Sequence, residues 1–295
     1  MSTTLLPTPR QPLMLAASLI LAGAAALTVH VVMLAAGVPF PSSAPPAWAR
    51  WLHLSLIVLA VLVFLRLAEP GLRRHGFFIR TLVTFAILLM VRETVRGAVM
   101  TGVVTSGWTF ALLGLAEPVL RVLVVALACV VAVRWVRGAA SLSLVALATA
   151  AICMGAHSLT GIALAPLSEF AATFSRPDLY VFPYPVTVTV AAYVTFIEPV
   201  VGAALLVASI WHRLPANLTH RLLGCALLVA LFKGIVGATF VFSFFMQQAP
   251  LAGMFSYSQF LFEFLALGSL AGLAWHRFGA RPSAVGSAPG YTLTA

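Results

Sequence analysis

A bundle of about eight transmembrane α-helices is the fold class that the sequence predicts, and three observations predict it. Of 295 residues, 62% are hydrophobic and 8% are charged, whereas a soluble domain carries about 25% charged residues. So few charges cannot coat a water-facing surface of this size. The apolar residues gather into segments long enough, at roughly 20 residues per crossing, to span a hydrocarbon core. The arginines fall on alternate connections between those segments, as the positive-inside rule requires of oriented membrane helices.

The segments run near 13–37, 49–68, 78–103, 109–133, 140–165, 185–211, 222–246 and 256–276. The first follows Arg10 and exceeds the roughly 7–15 apolar residues of a secretory signal, so it reads as a retained span. It stops before Pro39-Phe40-Pro41, and the second stops at Pro70-Gly71. The third carries Arg92, Glu93 and Arg96, and the fourth carries Glu117-Pro118 and Arg121. The fifth contains His157 and ends at Pro166, while the sixth follows Pro183-Tyr184-Pro185 and contains Glu198-Pro199. Lys233, the chain's single lysine, lies in the seventh, and Glu263 lies in the eighth. Proline and glycine at most of the boundaries supply the expected breaks. The longest connection between segments, 166–184, has a length that suits a lid or a plain linker equally.

Arg10, Arg73, Arg74, Arg80, Arg134, Arg137, Arg213, Arg221, Arg277 and Arg281 collect on one side. The opposite connections hold little beyond Arg50, Arg176, Glu169 and Asp178. Both termini are therefore expected in the cytoplasm, with the chain in a cell inner (plasma) membrane. The net charge of +10 reports this orientation, so the bilayer is the expected partner and nucleic acid is not. Trp48, Trp51, Trp108, Tyr180, Tyr184 and Tyr257 near outer ends, and Trp135, Trp211 and Trp275 near inner ends, form the aromatic belts. Cys129, Cys153 and Cys225 sit singly in apolar runs, which predicts buried thiols and no metal site.

The chain also divides into two four-helix halves, 1–138 and 139–281, followed by a disordered cytoplasmic tail at 282–295. His30 precedes Pro39 by nine residues, as His157 precedes Pro166. Overlaying VRETVRGA on LFKGIVGA sets Glu93 opposite Lys233, and Glu117 then matches Glu263. An even number of spans per half implies parallel repeats about an axis along the membrane normal.

The candidate site consists of the groups that hydrocarbon rejects: Arg92, Glu93, Arg96, Glu117, Arg121, Glu198, Lys233 and Glu263, with His30 and His157 at similar depth. A charge at mid-span costs about 2.5–3.5 kcal/mol, and eight together would exceed a net stability of about 5–15 kcal/mol. Four cations and four carboxylates are thus expected to converge on a common polar interior in the periplasmic half. Glu117 and Arg121 share a helix face, and Glu93 can reach Arg96. Arg92 and Arg96 share a face that repels itself unless an acid or an anionic ligand intervenes. The small residues around Gly97-Ala98 and at Gly234 and Gly237 are expected to serve close helix packing.

Several functions fit such a chain. A transporter or permease for a small, anionic solute would use the basic residues as ligands and the carboxylates as proton carriers. An outer-leaflet enzyme acting on a lipid-linked phosphate would use the same groups as bases and clamps, although HExxH, GxSxG and paired intramembrane aspartates are all missing from the sequence. A cofactor protein would hold haem between His30 and His157, or retinal on Lys233. An accessory role would pair the charges with another membrane subunit. The phosphate-cradling glycine loop of nucleotide enzymes is not present in the sequence.

Overall fold

The computed structural model describes residues 9–279 apart from 73, 181 and 248. The proposed tail at 282–295, Arg73 and Arg281 therefore lie outside the described residues. Within them the chain is helical, with one isolated bridge between Ser43 and Met246. In chain order the helices are α1 (Pro12–Ala35), α2 (Ala47–Leu72), α3 (Phe77–Val91), α4 (Thr94–Thr105), α5 (Trp108–Leu113) and α6 (Ala116–Ala132). They continue as α7 (Ala139–Ala172), α8 (Val186–Thr195), α9 (Ile197–Ile210), α10 (Leu218–Lys233), α11 (Ile235–Phe240) and α12 (Pro250–Phe278).

Among the described residues, six stretches are long and apolar enough to cross a membrane: Pro12–Ala35, Ala47–Glu69, Trp108–Trp135, Ala139–Ala172, Val186–Arg213 and Pro250–Phe278. The sequence reading counts eight. The difference lies in the segments at 78–103 and 222–246, each of which folds as two shorter helices, α3 with α4 and α10 with α11.

Four breaks interrupt the predicted segments, and each has a local cause. Pro118 has no N–H to donate to the carbonyl of Gly114, and Pro199 has none for Thr195. The helix accordingly lapses at Gly114–Leu115 and at Phe196. Gly234 takes φ +86°, a left-handed conformation that stops α10. Glu93 adopts φ +57° without glycine's freedom and separates α3 from α4. Left-handed backbone costs an L-residue about 1–2 kcal/mol, so its surroundings must hold Glu93 there. Pro166, expected to end the fifth segment, instead lies inside α7, which continues to Ala172.

The helices of 1–138 and 139–279 interleave around one core. α12 lies along α1, α10 and α9, while α2 is flanked by α7, α10 and α6, and α3 by α9 and α6. Glycines set the closest approaches. A Cβ at Gly268 would stand 2.7 Å from the Ala226 Cα, and one at Gly202 would stand 2.8 Å from the Met90 Cβ. These contacts bring α12 onto α10 and α9 onto α3, because dispersion between backbones drives association where lipid competes equally for apolar side chains. Outward-facing side chains such as Leu13, Phe78, Ile152, Leu159, Ile162 and Val186 are exposed and apolar, as a lipid-facing surface requires.

The Gln11 N–H donates to the Phe278 carbonyl (3.2 Å), so both ends of the described chain meet at one end of the bundle. At the other end Ala44 N–H donates to Phe245 C=O (3.2 Å), and Leu179 N–H donates to Val104 C=O (2.9 Å). Ser256 Oγ and Gln259 Nε2 both donate to the Pro39 carbonyl, at 2.6 and 2.9 Å.

Candidate functional site

Glu93 begins the site. It lies 16 residues after Phe77 and 12 before Thr105, about 24 and 18 Å at 1.5 Å per residue, hence near the middle of the interrupted α3–α4 segment. Its carboxylate accepts from Arg96 Nη1 at 2.8 Å through Oε1, and from Lys233 Nζ through Oε2. The side chain is only 7% exposed. Both pairings expected from the sequence, Glu93 with Arg96 and Glu93 with Lys233, are formed.

Helix ends reinforce this hub. Lys233 closes α10 and also donates to the Arg92 carbonyl (3.3 Å) at the end of α3. Its charge therefore meets the negative ends of two helix dipoles and lies over the Phe264 ring, 4.7 Å from the centroid. Arg96 lies over Phe196 at 5.2 Å. Glu198, on α9, accepts the backbone N–H groups of Val95 (3.1 Å) and Arg96. It caps α4 from another helix, satisfying donors that the break at Glu93 exposes. Glu198 thus balances a helix terminus and not a cation, which the sequence pairing did not foresee.

Glu263 is 1% exposed and approaches His30, with Nδ1 and Oε2 3.8 Å apart. Neither of those atoms has a hydrogen-bond partner among the described residues. His30 packs against Phe260 (4.6 Å) and Phe40 (5.4 Å). The Phe264 ring beneath Lys233 follows Glu263 on α12, and His30 lines a cavity wall together with Arg96. Six of the ten residues named from the sequence, Glu93, Arg96, Glu198, Lys233, Glu263 and His30, therefore gather around one hub.

The other four stand apart. The left-handed turn at Glu93 separates the Arg92 side chain from Arg96, so the mutually repelling arginine face expected on a continuous helix does not form. Arg92 instead lines a cavity of about 680 Å³ with Glu117, Arg121 and His157. Arg121 Nη2 donates to Glu117 Oε1, the predicted i,i+4 pair. His157 Nε2 lies 3.2 Å from the Arg121 carbonyl. Arg50, assigned from the sequence to a connection but lying in α2, and His53, which the sequence reading passed over, add to the polar wall. His53 stacks on Phe242 at 4.6 Å and fits against Gly234 and Gly237, where a Cβ would lie 2.9 and 2.8 Å from its ring. The signal that could have found it is an imidazole inside the apolar segment 49–68.

A second cavity, about 530 Å³, is lined by His30, Arg96, Phe40, Tyr193 and Phe260, together with Asp178, Phe182 and Tyr184 from the connection after α7. Those three residues give that connection a share of the cavity wall. Gly97 and Thr101 belong to the walls of both cavities, so α4 is the partition between them. No atom of a neighbouring helix lies within 4 Å of a Cβ built at Gly97. Gly97 does not serve helix packing as expected; Gly234 and Gly237 do, against His53.

His30 and His157 line different cavities, so the geometry does not bring them to one haem. Among the described residues, no group of three or more His, Cys, Asp or Glu side chains is placed to hold a metal ion. Comparison of the chain with protein-family models, curated proteins and solved structures finds no match.

Proposed function

We propose that the chain is a multi-pass transporter or permease for a small solute, with both ends on the cytoplasmic side of a plasma membrane. The observation that carries this reading is α4, a twelve-residue helix between two cavities, held at its base by the Glu93–Lys233–Arg96 hub and capped in trans by Glu198. On this reading α3 with α4 and α10 with α11 form two further interrupted spans, giving eight crossings. Irregular backbone at membrane depth is tolerated where it lines a polar cavity, and interrupted helices meeting near the midplane are a recurrent architecture of transport sites. Ion pairs at the breaks allow α4 to change position without unravelling α3. The arginine distribution and the meeting of the two ends of the described residues support the orientation.

The test is flux into proteoliposomes containing the purified protein and a pH-sensitive dye, challenged with panels of organic acids, phosphate esters, amino acids and cations. At least one class is expected to produce uptake that disappears in Lys233→Met while the helical circular dichroism persists. Absence of flux for every class, or flux indifferent to Lys233, sinks the reading.

A further inference from the structure

Arg50, Arg92 and Arg121 face the larger cavity, against a single carboxylate, Glu117. Glu117 is already engaged by Arg121. Arg96 and Lys233 are both neutralised by Glu93. Arg92 has no acidic partner among the described residues, since it enters none of their ion pairs. Its guanidinium presents five donors in a planar fork to a cavity whose remaining wall is largely apolar: Leu54, Ile57, Leu88, Val122, Val125 and Met154. Arg92 is half-buried, so its guanidinium is partly withdrawn from solvent without a counter-charge, which is costly, and a low-dielectric wall of one sign concentrates ions of the other. His53 and His157 add hydrogen-bonding groups to the cavity lining. The volume lies within the range of about 300–1,000 Å³ occupied by small organic ligands.

We propose that this cavity, taken as the solute site of the transport reading, binds an organic phosphate, with Arg92 as the principal anchor and Arg50 and Arg121 around it. The apolar floor receives the body of the ligand, and the guanidinium fork pairs with two phosphate oxygens at once. Phosphate is favoured over a single carboxylate because three guanidinium groups face one acid, leaving an excess of two positive charges. The same chemistry could be presented by a soluble phosphate monoester or by the headgroup of an anionic lipid entering from the bilayer.

The experiment measures binding to the protein in phosphatidylcholine nanodiscs by calorimetry and thermal unfolding. The probes are inorganic phosphate, glycerol phosphate and, in a separate preparation, phosphatidic acid built into the disc. Glycerol phosphate or phosphatidic acid is expected to stabilise the protein, and Arg92→Gln to weaken that binding about 10- to 100-fold, the worth of a charge-assisted pair. Arg66→Gln, in a half-exposed pair with Glu69 outside both cavities, leaves binding unchanged. Arg92→Lys, which keeps the charge but loses the fork, serves if the glutamine variant does not fold, and is expected to bind about 10-fold more weakly. Stabilisation by the monoester marks a soluble ligand, and stabilisation by phosphatidic acid alone marks a lipid headgroup. Failure of all three probes, or equal binding by both Arg92 variants and the native protein, overturns the inference. Flux of a cation or neutral solute without phosphate binding overturns it while leaving transport intact, and binding without any flux does the reverse.

Discussion

Removing one charge from the hub tests whether Glu93 serves two cations at once. Glu93 and Lys233 are 7% and 18% exposed, so solvent screens them weakly. Two unit charges about 4 Å apart attract by about 4 kcal/mol at an effective dielectric of about 20. Deleting one member of a buried pair costs about 3–5 kcal/mol, because the survivor is left uncompensated. Glu93→Gln strands both Arg96 and Lys233 and is expected to cost that full amount. Lys233→Met leaves Glu93 still bound to Arg96 at 2.8 Å, so its cost is expected at about 1–3 kcal/mol. The double variant leaves Arg96 alone over Phe196, and its cost should fall below the sum of the single ones by about 2 kcal/mol. Equilibrium unfolding in mixed micelles, with increasing denaturing detergent and helicity as the signal, measures all three. Equal costs for the two single variants, or strict additivity in the double, would refute a shared carboxylate.

Other consequences are open to equally direct measurement. Gly234→Ala combines a left-handed φ with a Cβ 2.9 Å from both His53 Cε1 and Ile57 Cδ1. It should destabilise by about 2 kcal/mol or more, whereas Gly76→Ala, with open space around it, should change the unfolding midpoint little. Glu198→Ala removes the cap on α4 and should cost about 0.5–2 kcal/mol. Hydrogen exchange would report it as faster exchange at the Val95 and Arg96 amides, and unaltered exchange there would remove the capping role. The orientation predicts that Arg50→Cys is labelled by an impermeant thiol reagent from outside the cell and Arg137→Cys only after permeabilisation. Native Cys129, Cys153 and Cys225 are fully buried and should stay silent, and labelling of the reverse pattern would invert the topology.

The site was legible where sequence spacing alone decides contact. Glu117 and Arg121 meet because four residues of helix return a side chain to the same face. Glu93 and Lys233 meet as the overlay of the third and seventh segments anticipates, and both stand where their helices break. The fourth and eighth segments do not follow suit, since α6 is preceded by a break and α12 is continuous. The expected repulsion of Arg92 and Arg96 assumed an unbroken helix, and the φ of Glu93 removes that assumption. Glu198 went to backbone amides because a helix terminus at membrane depth carries unpaired donors that a carboxylate satisfies as well as a cation would. Arg50 was assigned to a connection, and the imidazole of His53 within segment 49–68 was not weighed, because sequence alone does not say which face of a segment lines a cavity.

Composition and periodicity by themselves determined the solvent this chain requires, its helical character, and the set of groups that lipid would reject. Those follow from transfer free energies, which depend on residue type and length of run. Only the tertiary structure decided which acid neutralises which base, which arginine is left unpaired, and that α4 separates two cavities. Those outcomes depend on one left-handed dihedral and on contacts between helices more than 100 residues apart, and no local pattern of hydrophobicity encodes either.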